Sequence, residues 1–260
     1  MDHPSRLRGK RALVTAGAQG LGLAISRHLL AAGCDVFVHY FKSAEAAQAL
    51  ALEAKAAGRK LASASADLTE TEECEALVEK SAAFLGGIDV LINNAGTMIA
   101  RKPAMEADDA FWAEVMSVNL GSVRRVTQAA LPHLKQAAKE RGGASVVNLS
   151  SVAGRKGGGP GSLPYATAKG AVLTYTRTLA IELADTGIRF NALAPGFIEG
   201  SAFHQLHTPR PTAEKIIAGI PVGRSGNPDD VARAAVFLAA EFDGFIQGAT
   251  IDINGGSYMA

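Results

Sequence analysis

Tyr165 and Lys169 stand four residues apart, a short distance after the serine pair Ser150-Ser151. Four residues is just over one helical turn, so the phenol and the ammonium share one helical face and can reach a common substrate. A free tyrosine titrates near pH ~10 and a neighbouring cation favours the phenolate, so we expect Lys169 to lower the Tyr165 pKa. The same spacing also occurs on ordinary solvated helices, so the pair predicts acid–base chemistry only if other elements place it at a binding site.

The composition suits one α/β domain with a large buried core, since the chain has 260 residues and a net charge of +1. No run of like charges indicates a nucleic-acid or anionic-membrane partner. The N-terminus is polar and no apolar stretch approaches the ~20 residues of a membrane span, so we expect a soluble, cytoplasmic protein.

Cys34 and Cys74 are expected as reduced thiols. His204 and His207 are three residues apart but lack a third ligand, so we predict no metal site.

Short aliphatic or β-branched runs alternate with longer alanine-rich segments of helical period. This alternation predicts a single domain, residues 1–260, with a doubly wound parallel sheet covered by helices on both faces, the Rossmann fold. The predicted strands are 12–15, 35–40, 60–66, 88–93, 145–149, 188–193 and 249–253. The predicted helices are 21–32, 43–57, 69–85 with Thr69 as N-cap, 108–139, 165–184, an irregular 201–219, and 229–240 capped near Asn227.

The turn between the first predicted strand and the first predicted helix is rich in glycine. Glycines let the backbone approach a pyrophosphate, and the free amides of the helix start point at the anion. In this strand-to-helix context the turn predicts a dinucleotide site. Its candidate cofactor-binding residues are Thr15, Gly17, Gln19, Gly20, Leu21 and Gly22.

The end of the second predicted strand carries a hint about which dinucleotide binds. NAD-binding domains usually place an acid there for the ribose 2′-hydroxyl, whereas this chain has Tyr40-Phe41-Lys42-Ser43. Lys42 and Ser43 suit a 2′-phosphate, so NADP(H) is favoured and NAD(H) is the alternative. Under the alternative, Lys42 is a solvated residue at the start of a helix.

Further motifs follow in order: Asn93-Asn94-Ala95-Gly96, Asn119, Ser150-Ser151, and Tyr165 with Lys169. Together with the glycine-rich turn, this set resembles the short-chain dehydrogenase/reductase family over essentially the whole chain. The resemblance implies further cofactor contacts: Asp67, Leu68, Asn94, Ala95 and Gly96 toward the adenosine, and Pro195, Gly196, Ile198, Tyr165 and Lys169 toward the nicotinamide and its ribose.

The resemblance also implies the catalytic roles. Tyr165 exchanges a proton with the substrate oxygen, Lys169 lowers the pKa of Tyr165, and Ser151 orients the substrate oxygen. Ser151 is preferred to Ser150 because Val152-Ala153-Gly154 follows it, as the family pattern expects. Asn119 is expected at a helix irregularity, where it holds a water that links Lys169 to solvent. The implied reaction interconverts a carbonyl and a secondary alcohol of a small molecule with NAD(P).

Two positions depart from the family pattern. The usual glycine after Thr15 is Ala16, so we expect Ala16 to adopt an ordinary backbone conformation and Gly17 to supply the flexibility. The threonine expected after Pro195-Gly196 is absent, because Gly200 and Ser201 occupy that region. A pyrophosphate contact there depends on Ser201.

Within the family, the chain most resembles 3-oxoacyl-acyl-carrier-protein reductases, through residues 191–198 and Gly223-Arg224. Sugar and polyol dehydrogenases share these features and remain an alternative. The expected substrate lid around 199–220 contains His204, His207 and Arg210, which suit a hydroxylated or anionic substrate. A non-catalytic dinucleotide sensor is the remote hypothesis, disfavoured because the catalytic set is complete. By the resemblance, we expect a homotetramer that pairs the two long helices.

Overall fold

Seven parallel strands form the sheet in the computed structural model, which describes residues 6–200 and 206–260. Their order in the sheet is β3-β2-β1-β4-β5-β6-β7. Strands β2 and β3 lie on one side of β1 and strands β4 to β7 on the other, so the topological switch point is between β1 and β4. Ligands of such sheets bind at this switch point, beyond the carboxyl ends of the strands. The predicted doubly wound α/β fold is therefore confirmed. The strands are β1 (Arg11–Val14), β2 (Asp35–Tyr40), β3 (Leu61–Ser65), β4 (Val90–Asn93), β5 (Ala144–Leu149), β6 (Ile188–Pro195) and β7 (Thr250–Ile253).

Helices cover both faces of this sheet. They are α1 (Gly20–Ala31), α2 (Ala44–Ala56), α3 (Thr71–Leu85), α4 (Asp109–Met116), α5 (Ser122–Arg141), α6 (Ala153–Lys156), α7 (Leu163–Glu182), α8 (Arg210–Ala218) and α9 (Pro228–Ala239). Buried residues of α1, α2 and α9 form one core with the sheet, and those of α3, α5 and α7 form a second. Successive strand residues point to opposite faces, so Ala12 and Val14 enter the first core while Leu13 enters the second.

The predicted helical region 108–139 contains a π-helical segment, Ser117–Gly121, between α4 and α5, where an irregularity was expected at Asn119. Two other local predictions need correction. Thr69 is not the N-cap of α3, because the helix starts at Thr71 after Glu70, and Thr69 instead hydrogen-bonds Asp67. The short helix α6 was not predicted. By contrast, Asn227 caps α9 in a capping box, as expected.

Further predictions concern the two cysteines, membrane spans and metal ligands. Cys34 and Cys74 are buried and unpaired, which confirms two free thiols. No described helix is both long and apolar enough to cross a membrane. Within residues 6–200 and 206–260, no group of three or more His, Cys, Asp or Glu side chains is arranged to hold a metal. Of the histidine pair, His204 lies outside the described residues, as does most of the predicted helix before α8.

Candidate active site

A cleft lies beyond the carboxyl ends of β4, β5 and β6. Beneath it, a row of buried polar side chains fixes α7 against the sheet. Asn93 Nδ2 donates to Asn148 Oδ1 at 2.8 Å, and Asn148 Nδ2 donates to Thr176 Oγ1 at 2.9 Å. Asn93 Nδ2 also donates to Thr127 Oγ1 on α5 at 2.9 Å. Because such groups are costly to bury unpaired, the row sets the height and rotation of α7 relative to β4 and β5. Sequence reasoning missed this role of Asn148 and Thr176, which are ordinary strand and helix residues by pattern.

The fixed helix α7 presents Tyr165 and Lys169 to the cleft, and both side chains are buried. Lys169 Nζ donates to the Leu149 carbonyl at 2.8 Å and lies 5.9 Å from the centroid of the Tyr165 ring. The Ser151 side chain hydrogen-bonds Tyr165, whereas Ser150 Oγ donates to the Lys169 carbonyl at 2.7 Å. Ser150 therefore braces α7, and Ser151 is the serine that faces the phenol.

Burial dominates the pKa values of this pair. Burial raises the pKa of Tyr165 to about 12, and the Ser151 hydrogen bond opposes that shift. Burial also lowers the pKa of Lys169 to about 8. In this geometry desolvation outweighs the Ser151 hydrogen bond, so the net shift of the Tyr165 pKa is upward, and a lowering of that pKa by Lys169 stays a prediction. A phenol with a raised pKa stays protonated near neutrality, which is the form that can donate a proton.

Asn119 lies in the π-helical segment and is buried. Its Nδ2 donates to the Val115 carbonyl at 2.9 Å and to the Thr97 carbonyl at 2.7 Å, while its Oδ1 accepts from the Thr97 amide at 3.1 Å. The side chain thus donates a hydrogen bond to a carbonyl of the preceding helical turn, and it also joins the helix to the segment after β4. The expected irregularity is present at Asn119, and the water between it and Lys169 stays a prediction.

Gly96 separates Asn119 from Lys169. A Cβ at this position would lie 2.7 Å from Asn119 Oδ1 and 2.9 Å from Lys169 Nζ, so a side chain would push both groups aside. The residue is exposed and lines the cleft. It therefore leaves a gap beside the two polar groups in which a ligand can approach them.

Thr15 and Asn94 connect the glycine-rich turn to the end of β4. Thr15 Oγ1 accepts from the Asn94 and Ala95 amides at 2.9 and 3.0 Å. Asn94 Nδ2 donates back to the carbonyls of Thr15 and Ala16 at 3.1 and 3.2 Å. Thr15 is buried and Ala95 lies outside the cleft wall, so both act here as supports, while Asn94 lines the cleft.

The expected conformations of Ala16 and Gly17 are reversed in the structure. Ala16 has φ +48°, in the left-handed region, and Gly17 does not have a positive φ. Gly17 is instead required by crowding, because a Cβ there would lie 2.9 Å from Ser26 Oγ and 3.0 Å from Val14. Alanine can adopt this conformation at a modest cost, provided that its surroundings hold it there.

His39 provides part of that support, although sequence reasoning did not single it out. Its Nδ1 accepts from the Ala16 amide at 3.0 Å, and its Nε2 donates to the Ala66 carbonyl at 3.0 Å. Its own carbonyl accepts from the Gly17 amide at 2.9 Å. These partners require the neutral ring with the proton on Nε2, and burial lowers the pKa of His39 accordingly.

The start of α1 fits a bound pyrophosphate. Gln19 precedes the helix without a side-chain cap, so the first amides of α1 are available to an anion. A Cβ on Gly22 would lie 2.1 Å from the Ala16 carbonyl oxygen and 2.6 Å from Asn94 Nδ2, so only glycine packs there. Gln19, Gly20 and Leu21 line the cleft, whereas Gly17 and Gly22 support it from behind.

Of the predicted adenosine contacts, Asn94 and Gly96 line the cleft, whereas Asp67, Leu68 and Ala95 lie outside its wall. Asp67 Oδ1 accepts from the Thr69 amide and hydroxyl at 2.9 and 2.7 Å, and these bonds lower its pKa. Leu68 is buried. Lys42 is exposed beside the Phe41 ring, and Ser43 Oγ donates to Gln19 Oε1 at 2.8 Å. The structure therefore joins Ser43 to the glycine-rich turn.

The opposite wall comes from the end of β6. The Pro195 carbonyl accepts from the Val152 amide at 2.8 Å. This bond joins the wall to the segment that carries Ser151. A Cβ on Gly196 would lie 2.8 Å from Asn254, so the backbone passes close to the C-terminal segment. Pro195, Gly196 and Ile198 all line the cleft together with Ser151, Tyr165 and Lys169. Ser201 lies outside the described residues.

The whole cleft has a volume of about 820 Å³. Sequence reasoning missed two of its cationic residues, Arg101 and Lys156. Lys156 directly precedes the glycines at 157–159, and Arg101 follows the Asn93–Gly96 motif by a few residues. Neither position carries a pattern that distinguishes it from a solvated surface cation.

Comparisons with known proteins give the family. A family model described as "Enoyl-(Acyl carrier protein) reductase" matches residues 15–258. A 3-oxoacyl-[acyl-carrier-protein] reductase FabG from Thermotoga maritima is 38% identical over 252 residues, covering 96% of this chain and 98% of that one. The chain belongs to the short-chain dehydrogenase/reductase family. It is an NAD(P)-dependent oxidoreductase that acts on CH–OH groups.

Solved structures of the family agree with the fold. The NADH-dependent reductase A1-R′, described as responsible for alginate metabolism, superposes with a TM-score of 0.90 at 35% identity, covering 98% of this chain and all of that one. A1-R′ has also been solved with NAD. A short-chain dehydrogenase from Burkholderia cenocepacia J2315, in complex with NADP, has a TM-score of 0.88 at 31% identity, covering 97% and 99% of the two chains. Members of the family thus bind either dinucleotide.

Proposed function

We propose that this chain reduces a small ketone to a secondary alcohol with NADPH, using Tyr165 as the proton donor. The observation that carries the proposal is the placement of Ser151, Tyr165 and Lys169 in one cleft with the open start of α1. The cleft leaves room for a nucleotide along one wall and a substrate against the other. The bound dinucleotide would supply the hydride, and the side chains supply position and protons.

In this mechanism the substrate carbonyl accepts hydrogen bonds from Ser151 and Tyr165. The Tyr165 phenol is placed to transfer its proton to that oxygen, and the Ser151 hydroxyl to stabilise negative charge that develops on it. The Lys169 ammonium stands near the ring and stabilises the phenolate that remains. Asn119 keeps the α4–α5 junction against the segment after β4 and so maintains the gap at Gly96.

NADP(H) is the proposed cofactor. No acid stands at the end of β2, and Lys42 is exposed there without an ion pair to another described residue. Its ammonium suits a 2′-phosphate, and Ser43 lies beside it at the Gln19 side chain. Asp67 and Leu68 remain the proposed neighbours of the adenine.

A 3-oxoacyl thioester is the first candidate substrate, as in the Thermotoga maritima relative. A hydroxylated sugar derivative is the second, favoured by the polar wall that includes Arg101, Lys156 and His207 and by the A1-R′ neighbour. Initial rates with acetoacetyl-CoA, aldoses and ketoses, each with NADPH or NADH, and with polyols, each with NADP⁺ or NAD⁺, test the proposal. Activity restricted to a polyol with NAD⁺ contradicts both the first substrate and the cofactor preference. No redox activity with any compound contradicts the enzymatic proposal.

A cytoplasmic homotetramer is the proposed assembly. The small residues of α7 do not themselves support it, because Ala168 is fully buried within the subunit and Gly170 packs against Gly154. Support comes from exposed apolar side chains elsewhere, notably Ile181 on α7 and Phe245 before β7, which are 81% and 103% exposed in the single chain. Light scattering tests the oligomeric state, and a monomer at micromolar concentration contradicts it.

A further inference from the structure

The substrate end of the cleft carries positive charge only. Arg101, Lys156 and Lys215 line it, and no Asp or Glu is present among the described residues of the wall. Lys169 adds a fourth cation at the base of the same cleft. A wall of one sign raises the local concentration of ligands of the opposite charge.

The charges on this wall are not neutralised by the protein. None of Arg101, Lys156 and Lys215 forms an ion pair with another described residue, whereas neighbouring cations outside the cleft do. Those neighbouring pairs are Arg155 with Asp252, Arg210 with Glu214, and Arg224 with Asp230. The wall therefore carries cations that no carboxylate among the described residues neutralises.

Two of the cations are held in place by neutral carbonyls. Arg101 Nε donates to the His207 carbonyl at 2.8 Å, and its Nη1 donates to the Pro160 carbonyl at 2.8 Å. Lys156 Nζ donates to the Ser257 carbonyl at 2.7 Å. These bonds orient the cations and leave their full charge available. Arg101 also joins the segment before α8 to the turn 157–161.

We infer that Arg101 and Lys156 bind an anionic group, a carboxylate or a phosphate, on the substrate whose carbonyl lies at Tyr165. The inference rests on the proposed reduction and specifies the substrate class for the same site. An anion here would accept charge-assisted hydrogen bonds from the guanidinium and the ammonium. Lys215, which lies on α8 and is exposed, adds long-range attraction without a fixed contact.

Matched pairs of ketones that differ in charge test this inference. Levulinate and its methyl ester form the carboxylate pair, and dihydroxyacetone phosphate and dihydroxyacetone form the phosphate pair. We expect the wild-type enzyme to prefer the charged member of one pair by roughly tenfold in kcat/KM, the effect of about one charged hydrogen bond. The pair that shows the preference identifies the anion. Raising the ionic strength should weaken that preference.

Substitutions then locate the effect. Lys156→Gln and Arg101→Gln should each reduce kcat/KM for the charged member by roughly tenfold more than for the neutral member, mainly through KM. Arg101→Lys keeps the charge and tests the need for the fork-shaped guanidinium. Lys80→Gln, an exposed lysine on α3 far from the cleft, is the matched control. Equal losses for charged and neutral members, or no preference in the wild type, overturn the inference.

Binding to a variant that cannot turn over separates this inference from the proposed function. Calorimetry with Tyr165→Phe and NADPH measures the affinity for each member of a pair without reaction. Tighter binding of the charged member, lost with Lys156→Gln, supports the anion site even if the wild type reduces none of the four compounds. Equal binding of charged and neutral members overturns it, whatever the activity of the wild type.

Discussion

The two halves of the cleft differ in hydrogen bonding and in exposure to solvent. The proposed cofactor half comprises residues 15–22 with His39 and Asn94, and its amides and carbonyls are joined by hydrogen bonds to buried or half-buried side chains. The proposed substrate half comprises Arg101, the turn 157–161 and α8, and most of its residues are exposed. The hydrogen bonds of the first half suit a constant ligand, and the exposed residues of the second offer charge and space. The difference explains why cofactor chemistry is common to the family while substrates vary.

The largest expected effect is at the boundary between the halves. Tyr165→Phe removes the proton donor but keeps the ring, so turnover should fall by roughly 10³-fold, while NADPH affinity stays within about twofold. Steady-state kinetics and fluorescence titration measure the two quantities. Tyr175→Phe is the control, because Tyr175 lies on the same helix and hydrogen-bonds Thr127 instead. Near-normal turnover of Tyr165→Phe contradicts its assignment as the acid.

A pair of glycine substitutions tests the contrast between the halves. A methyl group on Gly22 meets the Ala16 carbonyl oxygen at 2.1 Å, so Gly22→Ala should cost about 1–3 kcal/mol of stability and weaken NADPH binding. A methyl group on Gly159 has Arg101 Nη1 at 3.8 Å as its nearest neighbour, so Gly159→Ala should leave the free energy of unfolding nearly unchanged. Denaturant unfolding measures both. Similar losses in the two variants contradict the distinction between the halves.

The cofactor half should also respond to pH through His39. Its folded pKa is lowered by burial, with the hydrogen bond to the Ala66 carbonyl and the charge of Asp67 opposing the shift. Since the folded protein favours the neutral ring, the stabilisation is fully present above the unfolded pKa of ~6.5 and is lost as pH falls through the folded pKa. Protonation of Nδ1 then removes the acceptor for the Ala16 amide.

His39→Leu tests this pH response. The variant should lose about 2 kcal/mol at neutral pH, where two buried hydrogen bonds disappear, and its melting temperature should fall less steeply between pH 7 and pH 5 than that of the wild type. NADPH affinity measured over the same range should follow the same pattern. Parallel pH profiles of the two proteins would mean that another group dominates the titration.

The same contrast explains what the sequence could predict. Strand–helix alternation and the order of motifs identified the sheet, the glycine-rich turn and Tyr165 with Lys169, because these depend on backbone geometry that few residue types permit. The conformation of Ala16 was not predictable, since it depends on His39 and Asn94, which lie in other strands or turns. The raised pKa of Tyr165 follows from burial that spacing does not reveal. Arg101 and Lys156 resemble any surface cations until the fold places them on one wall.

The smallest expected effect concerns the exposed edge of the cofactor half. Lys42→Ala should weaken NADPH binding by about tenfold, the effect of one charged hydrogen bond, and leave NADH binding within about twofold. Lys55→Ala, near the far end of α2, is the control and should change neither affinity. Fluorescence titrations with both dinucleotides measure the difference. Since a solvated ammonium is easily screened, the selectivity for NADPH should also narrow as salt is added. An equal loss for both dinucleotides would show that Lys42 contributes to the shape of the loop and not to recognition of the 2′-phosphate.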